Sequence, residues 1–323
     1  MKIFVTRKIP ESGLDLLKKD YEIEVFTHDR VPTKDEIING LRGKDGLLCL
    51  LSDPIDEDII KSEPKLKMIA NYAVGFDNID VKAATERKIP VSNTPGVLTD
   101  TTAEMAWAQL FSASRRIVEG DRFTRAGKFI GWGPLLMLGQ DISHKTLGVI
   151  GTGRIGTAFA LKSKGFEMNV LYADEHINKT LERKLGASKV ELIELLKKSD
   201  FISIHVPLTD DTYHLISEGE LKIMKSSAVL INTSRGPVVD EKALIKALKE
   251  KWIFGAGLDV YEHEPEVSKE LKKLDNIVLQ PHSASATFET RSKMAIIAAE
   301  NMIAGLNGKI PPNCINPEVF EFK

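Results

Sequence analysis

Residues 147–156 read Leu-Gly-Val-Ile-Gly-Thr-Gly-Arg-Ile-Gly, and this stretch decides the fold. A short apolar run leads into the pattern Gly-x-Gly-x-x-Gly at Gly151, Gly153 and Gly156, and a helix-compatible run over 155–164 follows, which we expect Gly165 to stop. In a strand–turn–helix unit, the first glycine permits the tight turn, the second lets phosphates approach the backbone, and the third lets the helix pack on the strand. The unpaired N–H groups at the helix N-terminus attract the phosphates. The stretch therefore predicts a pyrophosphate site for a dinucleotide.

An acidic residue at the end of the next strand refines this prediction. Residues 168–173 are typical of a buried strand, and Asp174 follows it, 18 residues after Gly156. An acid about 20 residues after the last glycine is where the adenosine ribose is held. A carboxylate there accepts from the ribose 2′-hydroxyl and repels a 2′-phosphate, so NAD is favoured and NADP is less expected. The alternatives are that Asp174 only caps a solvated loop with Glu175, and that His176 weakens the discrimination.

The composition bounds the class of protein. With 323 residues, 42% hydrophobic residues and a net charge of −2, the chain suits a soluble globular protein of two domains, and nothing indicates a nucleic acid or membrane partner. Charge appears early in residues 1–7, which argues against a signal peptide, and no apolar run is long enough for a membrane helix. Cys49 and Cys314 indicate neither a disulfide framework nor a metal site. We expect a cytoplasmic enzyme without a metal.

Strand-like and helix-like runs alternate along the chain, which predicts an α/β fold with two Rossmann-like or flavodoxin-like doubly wound parallel-sheet domains. The predicted strands of the first module are residues 2–6, 22–26, 46–50 and 67–72, with helices over 12–19 and 34–41. The predicted strands of the second module begin at 147 and 168 and continue at 201–206, 228–233, 255–260 and 276–280.

Two long helices are predicted at the ends of the second module, over 101–118 and 287–306. Helices in these positions suit connectors that carry the chain across and back. We therefore expect a discontinuous substrate domain of residues 1–99 and 287–323 around an NAD-binding domain of residues 100–286. Residues 120–140 are predicted to be irregular but are rich in apolar side chains, so we expect them to pack on a partner subunit.

Three titratable side chains lie at predicted strand ends of the second module, where sheets of this type bind ligands. Arg235 offers a rigid fork of donors for a substrate carboxylate. His282 has the right chemistry to give a proton to a carbonyl oxygen and to take it back. Glu264, if bonded to the far ring nitrogen, would fix the tautomer and stabilise the imidazolium. Together they predict hydride transfer beside a nicotinamide.

Each of these residues also has a structural interpretation on its own. His282 could be a loop histidine with satisfied hydrogen bonds, and Glu264 a solvated acid before a proline. Of the other histidines, His205 is interpreted as a strand-end residue near the adenine, and His214 and His263 as surface positions.

The chain resembles the D-isomer-specific 2-hydroxyacid dehydrogenases over essentially its whole length. The matching stretches are residues 74–78 (Val-Gly-Phe-Asp-Asn), 151–156, 232–236 (Asn-Thr-Ser-Arg-Gly), 257–260 (Gly-Leu-Asp-Val) and 281–282 (Pro-His). The resemblance implies a catalytic set of Arg235, Glu264 and His282, with the active site between two domains. For substrate binding it implies Leu51, Ser52, Val74, Gly75, Arg235, Ser285 and Trp132. For cofactor binding it implies Thr102, Gly151, Gly153, Arg154, Ile155, Gly156, Asp174, Val206, Pro207, Thr212, Thr233 and Asp259.

Within the family the chain looks most like glyoxylate/hydroxypyruvate reductases, on the basis of residues 50–52 and 132–134. Residues 132–134 (Trp-Gly-Pro) resemble a Trp-x-Pro whose indole reaches the active site of the neighbouring subunit, and the alternative for Trp132 is dimer packing. The chain reads His-Ser-Ala-Ser at 282–285 where family members usually have His-Ile-Gly-Ser. Many archaeal-type glyoxylate reductases carry a basic residue at the position of Asp174.

The sequence therefore predicts a homodimeric, NAD-dependent reductase that converts glyoxylate to glycolate and hydroxypyruvate to D-glycerate. The alternatives within enzymes are a D-3-phosphoglycerate dehydrogenase of the short form and a D-lactate-type dehydrogenase. The alternative of another class is an NAD-sensing interaction protein that resembles the transcriptional corepressors of this fold.

Overall fold

The computed structural model describes residues 1–321, and parallel strands alternate with helices through most of that range. The strands are β1 (Lys2–Val5), β2 (Glu22–Val25), β3 (Gly46–Leu50), β4 (Met68–Tyr72), β5 (Val91–Ser92), β6 (Thr146–Ile150), β7 (Asn169–Ala173), β8 (Ser188–Lys189), β9 (Phe201–Ile204), β10 (Val229–Asn232), β11 (Gly255–Leu258) and β12 (Ile277–Leu279). The helices are α1 (Glu11–Lys18), α2 (Lys34–Leu41), α3 (Glu57–Ser62), α4 (Val81–Glu86), α5 (Thr99–Ser114), α6 (Ile117–Arg125), α7 (Arg154–Lys162), α8 (Lys179–Leu185), α9 (Leu192–Lys198), α10 (Glu218–Ile223), α11 (Glu241–Lys249) and α12 (Phe288–Leu306).

The chain divides into two compact units. One consists of Met1–Leu98 together with the segment that starts at Ala286, and the other is Thr99–Ser285. The last two residues of the predicted 287–323 segment lie outside the described residues. The assignment of the units to substrate and to cofactor stays a prediction at this stage.

The discontinuous unit is built on a five-stranded parallel sheet in the order β2-β1-β3-β4-β5. Phe4, Leu47 and Ile69 from its three central strands are buried in one apolar core. Helix α12 packs on α1 so closely that a Cβ on Gly13 would lie 2.5 Å from the carbonyl oxygen of Ala295. The glycine therefore lets the C-terminal helix join the N-terminal part of the chain.

The continuous unit contains a seven-stranded parallel sheet in the order β12-β11-β10-β9-β6-β7-β8. Side chains of β10 alternate between its two faces: Leu230 joins one apolar core, and Val229 and Ile231 join the other. The crossover helices of a parallel sheet pack on both of its faces, so the strand side chains on both faces are apolar. The predicted fold class, two parallel-sheet α/β domains, is confirmed.

Three predictions about helices in this unit were wrong. The single helix predicted over 101–118 is two helices, because Arg116 has left-handed backbone (φ 52°) and the Ser114 carbonyl accepts from the Gln140 N–H at 2.8 Å. Part of the irregular segment predicted over 120–140 is therefore helical, as the second half of α6. Gly165 does not stop the helix of the glycine-rich turn, since a 3₁₀ turn continues through it to Phe166.

No helix within residues 1–321 is long and apolar enough to cross a bilayer. The cytoplasmic location stays a prediction.

Candidate active site

The glycine-rich turn has the geometry that its sequence predicts. Gly151 has φ +83°, a conformation that favours glycine, and a Cβ on Gly156 would lie 2.0 Å from the Gly151 carbonyl oxygen. Apart from its chain neighbours, no part of residues 1–321 comes within 4 Å of the place a Cβ on Gly153 would occupy, so the turn is open on that side. Arg154 and Ile155 begin helix α7 right after Gly153, and the first N–H groups of a helix have no partner within it. The turn therefore offers both the space and the donors that phosphates require.

Asp174 follows β7 and is bonded to this turn. Its Oδ2 accepts from the backbone N–H of Thr152 at 2.6 Å and from the Thr152 hydroxyl at 3.0 Å, and its Oδ1 accepts from the His176 N–H at 3.0 Å. Burial raises the pKa of Asp174, but these hydrogen bonds outweigh it and bring the pKa below its ordinary value. The carboxylate is therefore ionised at neutral pH and fixes the turn, a role that the sequence did not reveal.

A cavity of about 470 Å³ opens beside this carboxylate. Its lining residues come from the glycine turn, the end of β7 and the start of α8: Thr152, Gly153, Asp174, Glu175, His176, Ile177, Asn178, Lys179 and Thr180. His205 does not line that cavity, and its position near the adenine stays a prediction. The ring of His205 lies 5.0 Å from that of Phe159, with Nε2 2.9 Å from the Ser203 hydroxyl, under the glycine turn.

The other residues expected to contact a cofactor divide into two groups. Thr233 is buried and its hydroxyl has no hydrogen-bond partner within residues 1–321, as expected of a group that awaits a ligand. Thr102 is buried in α5, and Val206 lies against the glycine turn, with Pro207 exposed after it. The Thr212 hydroxyl, by contrast, is used in its own loop, where it donates to the Pro207 carbonyl at 2.6 Å.

A dinucleotide cofactor fits this set of residues. The open side of Gly153, the cavity beside Asp174 and the unpartnered hydroxyl of Thr233 are three separate features that a bound dinucleotide would fill. The position of the phosphates at the glycine turn stays a prediction, as does that of the adenosine, which we expect in the cavity.

His282 and Glu264 form the central pair of the site. Nδ1 of His282 lies 2.8 Å from Glu264 Oε2, and Glu264 Oε1 accepts from the Tyr261 N–H at 2.9 Å. Burial raises the pKa of Glu264, but the hydrogen bond and charge of His282 and the charge of Arg235 outweigh it and lower the pKa. An ionised carboxylate only accepts hydrogen bonds, so His282 donates through Nδ1–H and Nε2 is left for a substrate.

Arg235 is positioned by the side chain of Asn232 on one side and by a close backbone approach at Gly236 on the other. Asn232, at the end of β10, accepts from the Ser234 N–H at 3.0 Å and donates to the Arg235 carbonyl at 2.9 Å. A Cβ on Gly236 would lie 1.9 Å from the backbone of Tyr261, so only glycine lets this turn pack on the segment that carries Glu264. Arg235 is therefore held within electrostatic reach of Glu264.

Asp259 has a role that the sequence did not reveal. It is fully buried after β11, and its two oxygens accept from the backbone N–H groups of Ser283 and Ala284, each at 2.8 Å. Burial raises the pKa of Asp259 despite these hydrogen bonds. His282 has left-handed backbone (φ 52°), which disfavours a side chain with a Cβ. Asp259 therefore holds the turn that presents His282, in addition to the cofactor contact implied by the resemblance.

His214 is not the surface residue that was predicted. It is partly buried, its Nε2 lies 2.9 Å from Glu262 Oε1, and its ring stacks on Tyr213 at 4.1 Å. The other oxygen of Glu262 accepts from the Glu241 N–H at 3.1 Å. The pair joins the loop after β9 to the segment that carries Glu264, two residues further on.

The residues expected to bind substrate from the discontinuous unit lie at one edge of its sheet. Leu51 and Ser52 follow β3, and Val74 and Gly75 follow β4. Asn78 ties the two loops together by donating to the carbonyls of Leu50 and Asp53, each at 3.1 Å. Within residues 1–321 the N–H groups of Val74 and Gly75 have no partner, so they are available to an anion. Ser285 is the last residue of the other unit.

Trp132 lies in an exposed apolar segment, residues 129–138. Ile130 is 98% exposed, Trp132 85% and Leu135 81%. Apolar side chains rarely stand so far in solvent in one short segment.

Comparisons with known proteins identify the class that this fold and site define. The sequence model of the family "D-isomer specific 2-hydroxyacid dehydrogenase, NAD binding domain" matches residues 107–284. The glyoxylate reductase of Korarchaeum cryptofilum is 52% identical over 324 residues, which cover 100% of this chain and 98% of the relative. The chain belongs to the D-isomer-specific 2-hydroxyacid dehydrogenase family.

Solved structures agree with this assignment. A protein from Thermus thermophilus matches with a TM-score of 0.92 and 41% identity, over 98% of this chain and 100% of that one. An NADPH-dependent glyoxylate/hydroxypyruvate reductase from Sinorhizobium meliloti, in complex with citrate, matches with a TM-score of 0.84 and 30% identity, over 98% of both chains. The protein is an oxidoreductase of the 2-hydroxyacid dehydrogenase type that uses a nicotinamide cofactor.

Proposed function

We propose that the protein is an NADH-dependent reductase of small 2-oxo acids, with glyoxylate and hydroxypyruvate as its substrates. The observation that carries the proposal is the 2.8 Å hydrogen bond between His282 Nδ1 and Glu264, which leaves Nε2 for a substrate oxygen. The names of similar proteins, glyoxylate reductase and glyoxylate/hydroxypyruvate reductase, support the substrate class.

The reaction divides among three side chains. Bound NADH supplies the hydride that reaches carbon 2 of the 2-oxo acid. Arg235 holds the carboxylate of the acid through its fork of donors, so that carbon 2 is fixed for transfer. His282 gives the proton from Nε2 to the carbonyl oxygen, which completes the hydroxyl group of the product. Glu264 keeps the ring oriented and stabilises its protonated form.

The preference for NADH rests on Asp174. Its carboxylate carries a full negative charge beside the cavity, where the 2′-phosphate of NADPH would be repelled. Lys179 and His176, when protonated, also line that cavity, and their positive charges favour a phosphate. We propose that Asp174 prevails, because two hydrogen bonds from Thr152 anchor it to the glycine turn and a third comes from the His176 N–H.

The exposed segment 129–138 supports a homodimer in which each copy covers this segment of the other. On this proposal Trp132 contributes to the site of the partner. Size-exclusion chromatography with light scattering tests it: the wild type should elute as a dimer and Ile130→Asp as a monomer. Phe288→Asp is the control, because Phe288 is equally exposed (92%) but lies outside the segment. A monomeric wild type would contradict the proposal.

The experiment that tests the function is a panel of 2-oxo acids followed through NADH absorbance. Glyoxylate and hydroxypyruvate should be reduced with higher kcat/KM than pyruvate and 3-phosphohydroxypyruvate. A higher value for the phosphorylated acid would favour a phosphoglycerate dehydrogenase. NADH binding without turnover of any acid would favour the sensor function instead.

A further inference from the structure

Arg7 follows β1 at the carboxyl end of the five-stranded sheet, and its guanidinium makes no hydrogen bond or ion pair within residues 1–321. It is the second residue after β1, it is half-buried, and its Nε is shut off from solvent with no hydrogen-bond partner. Within residues 1–321 no other donor of its guanidinium makes a hydrogen bond or an ion pair either. A guanidinium has five N–H donors, and buried donors in folded proteins are almost always paired. Such a group indicates a missing ligand.

The nearest acid does not supply that ligand. Asp53 is only 1% exposed, and its Oδ2 accepts from the Thr6 hydroxyl and from the Leu50 N–H. The positive charge of Arg7 acts on Asp53 through space, with no hydrogen bond between them. Asp53 therefore interacts with the guanidinium by charge alone and uses none of its donors.

The sheet order places Arg7 next to the loop of residues 51–52 and one strand further from Val74 and Gly75. Strand β3 lies between β1 and β4, so residues 51–52 stand between Arg7 on one side and Val74–Gly75 on the other. Neighbouring strands are about 4.8 Å apart, so the ends of β1 and β4 are separated by roughly 10 Å. At this spacing we expect a two-carbon acid held by its carboxylate at Val74 and Gly75 to end short of Arg7. A three-carbon acid with an oxygen on its last carbon extends in that direction.

We propose that Arg7 determines substrate specificity by donating hydrogen bonds to an oxygen on carbon 3 of a 2-oxo acid. The inference rests on the proposed function and assigns to this site a preference for acids with a polar third carbon. Hydroxypyruvate and pyruvate differ only by the hydroxyl group on that carbon, so their ratio of kcat/KM isolates the contribution of Arg7.

The test compares Arg7→Met with Lys8→Met. Lys8 is the neighbouring cation, but it is exposed and pairs with Glu11, so its removal controls for the loss of one charge. In Arg7→Met, kcat/KM for hydroxypyruvate should fall about 10- to 100-fold, as expected when a hydrogen bond from a charged group is lost. The values for pyruvate and glyoxylate should stay within about twofold of wild type, and Lys8→Met should leave all three unchanged.

The results separate this inference from the proposed function. An equal change for all three acids in Arg7→Met, or no change for any, overturns the role of Arg7 while the function stands. If Arg7→Met does not fold, Arg7→Lys carries the test, because it keeps the charge but loses the fork of donors and should still lower the hydroxypyruvate-to-pyruvate ratio. A wild type that reduces none of the acids refutes the proposed function itself.

Discussion

Gly153 and Gly156 lie three residues apart in one turn, and a methyl group added to each should have opposite effects. A Cβ on Gly156 would lie 2.0 Å from the Gly151 carbonyl oxygen and 3.2 Å from Cβ of His205. Backbone must move to admit it. A Cβ on Gly153 would meet no atom within 4 Å, and the φ of that residue is an ordinary −62°.

The expected magnitudes follow from these distances. Overpacking of this kind costs about 1–3 kcal/mol, so Gly156→Ala should lower the Tm of the cofactor-free protein by roughly 2–12 °C. Gly153→Ala should leave Tm within about 2 °C of wild type, since the gain from a stiffer unfolded chain offsets the poorer helix cap. Its methyl group would occupy the space that we assign to the phosphates, so NADH affinity should fall at least about tenfold.

Two measurements check this pair: thermal unfolding without cofactor, and NADH binding by fluorescence titration. Wild-type NADH affinity in Gly153→Ala would refute the position of the phosphates. An unchanged Tm in Gly156→Ala would refute the packing argument.

Three further predictions concern charged and titratable groups. Glu264→Gln removes the carboxylate that accepts from His282 Nδ1, so kcat for glyoxylate reduction should fall about tenfold or more. An unchanged kcat would exclude Glu264 as a positioning group. Asp174→Asn should lower the ratio of the Kd for NADPH to the Kd for NADH about 10- to 100-fold. Glu175→Gln, in the same cavity, should leave this ratio unchanged. Equal effects of the two substitutions would refute the ribose assignment. Part of His205 reaches solvent, but its ring is packed, and burial lowers its pKa to about 3. Only the unfolded chain therefore takes up a proton at this residue as the pH falls below about 6.5. Wild type should therefore lose about 1–2 kcal/mol more stability than His205→Gln between pH 7 and pH 5 in urea unfolding, and parallel losses would contradict this origin.

Much of the fold was predictable, because apolar runs and glycine spacing are local properties of the chain. The two short strands β5 and β8 were not, since two residues are too few to form a pattern. The break after α5 was missed for another reason. It depends on the carbonyl of Ser114 accepting from Gln140, and on left-handed backbone at Arg116, neither of which a local pattern contains.

The candidate site shows a similar division. Strand ends and the resemblance together nominated Arg235, Glu264 and His282, whose roles remain predictions. The sequence did not reveal that Asp259 holds the turn after His282, because its partners are backbone N–H groups, which leave no signature in the side-chain pattern. Nor did it reveal that Arg7 lacks a partner. That fact depends on every atom around the guanidinium, and only a folded structure supplies it.

The most direct test of the account is the rate of NADH oxidation by glyoxylate in wild type and in His282→Ala. We expect wild-type turnover and a loss of about 10²- to 10⁴-fold in kcat in the variant, with NADH affinity unchanged, because His282 acts on the substrate oxygen. A His282→Ala enzyme that reduces glyoxylate at the wild-type rate would contradict the account.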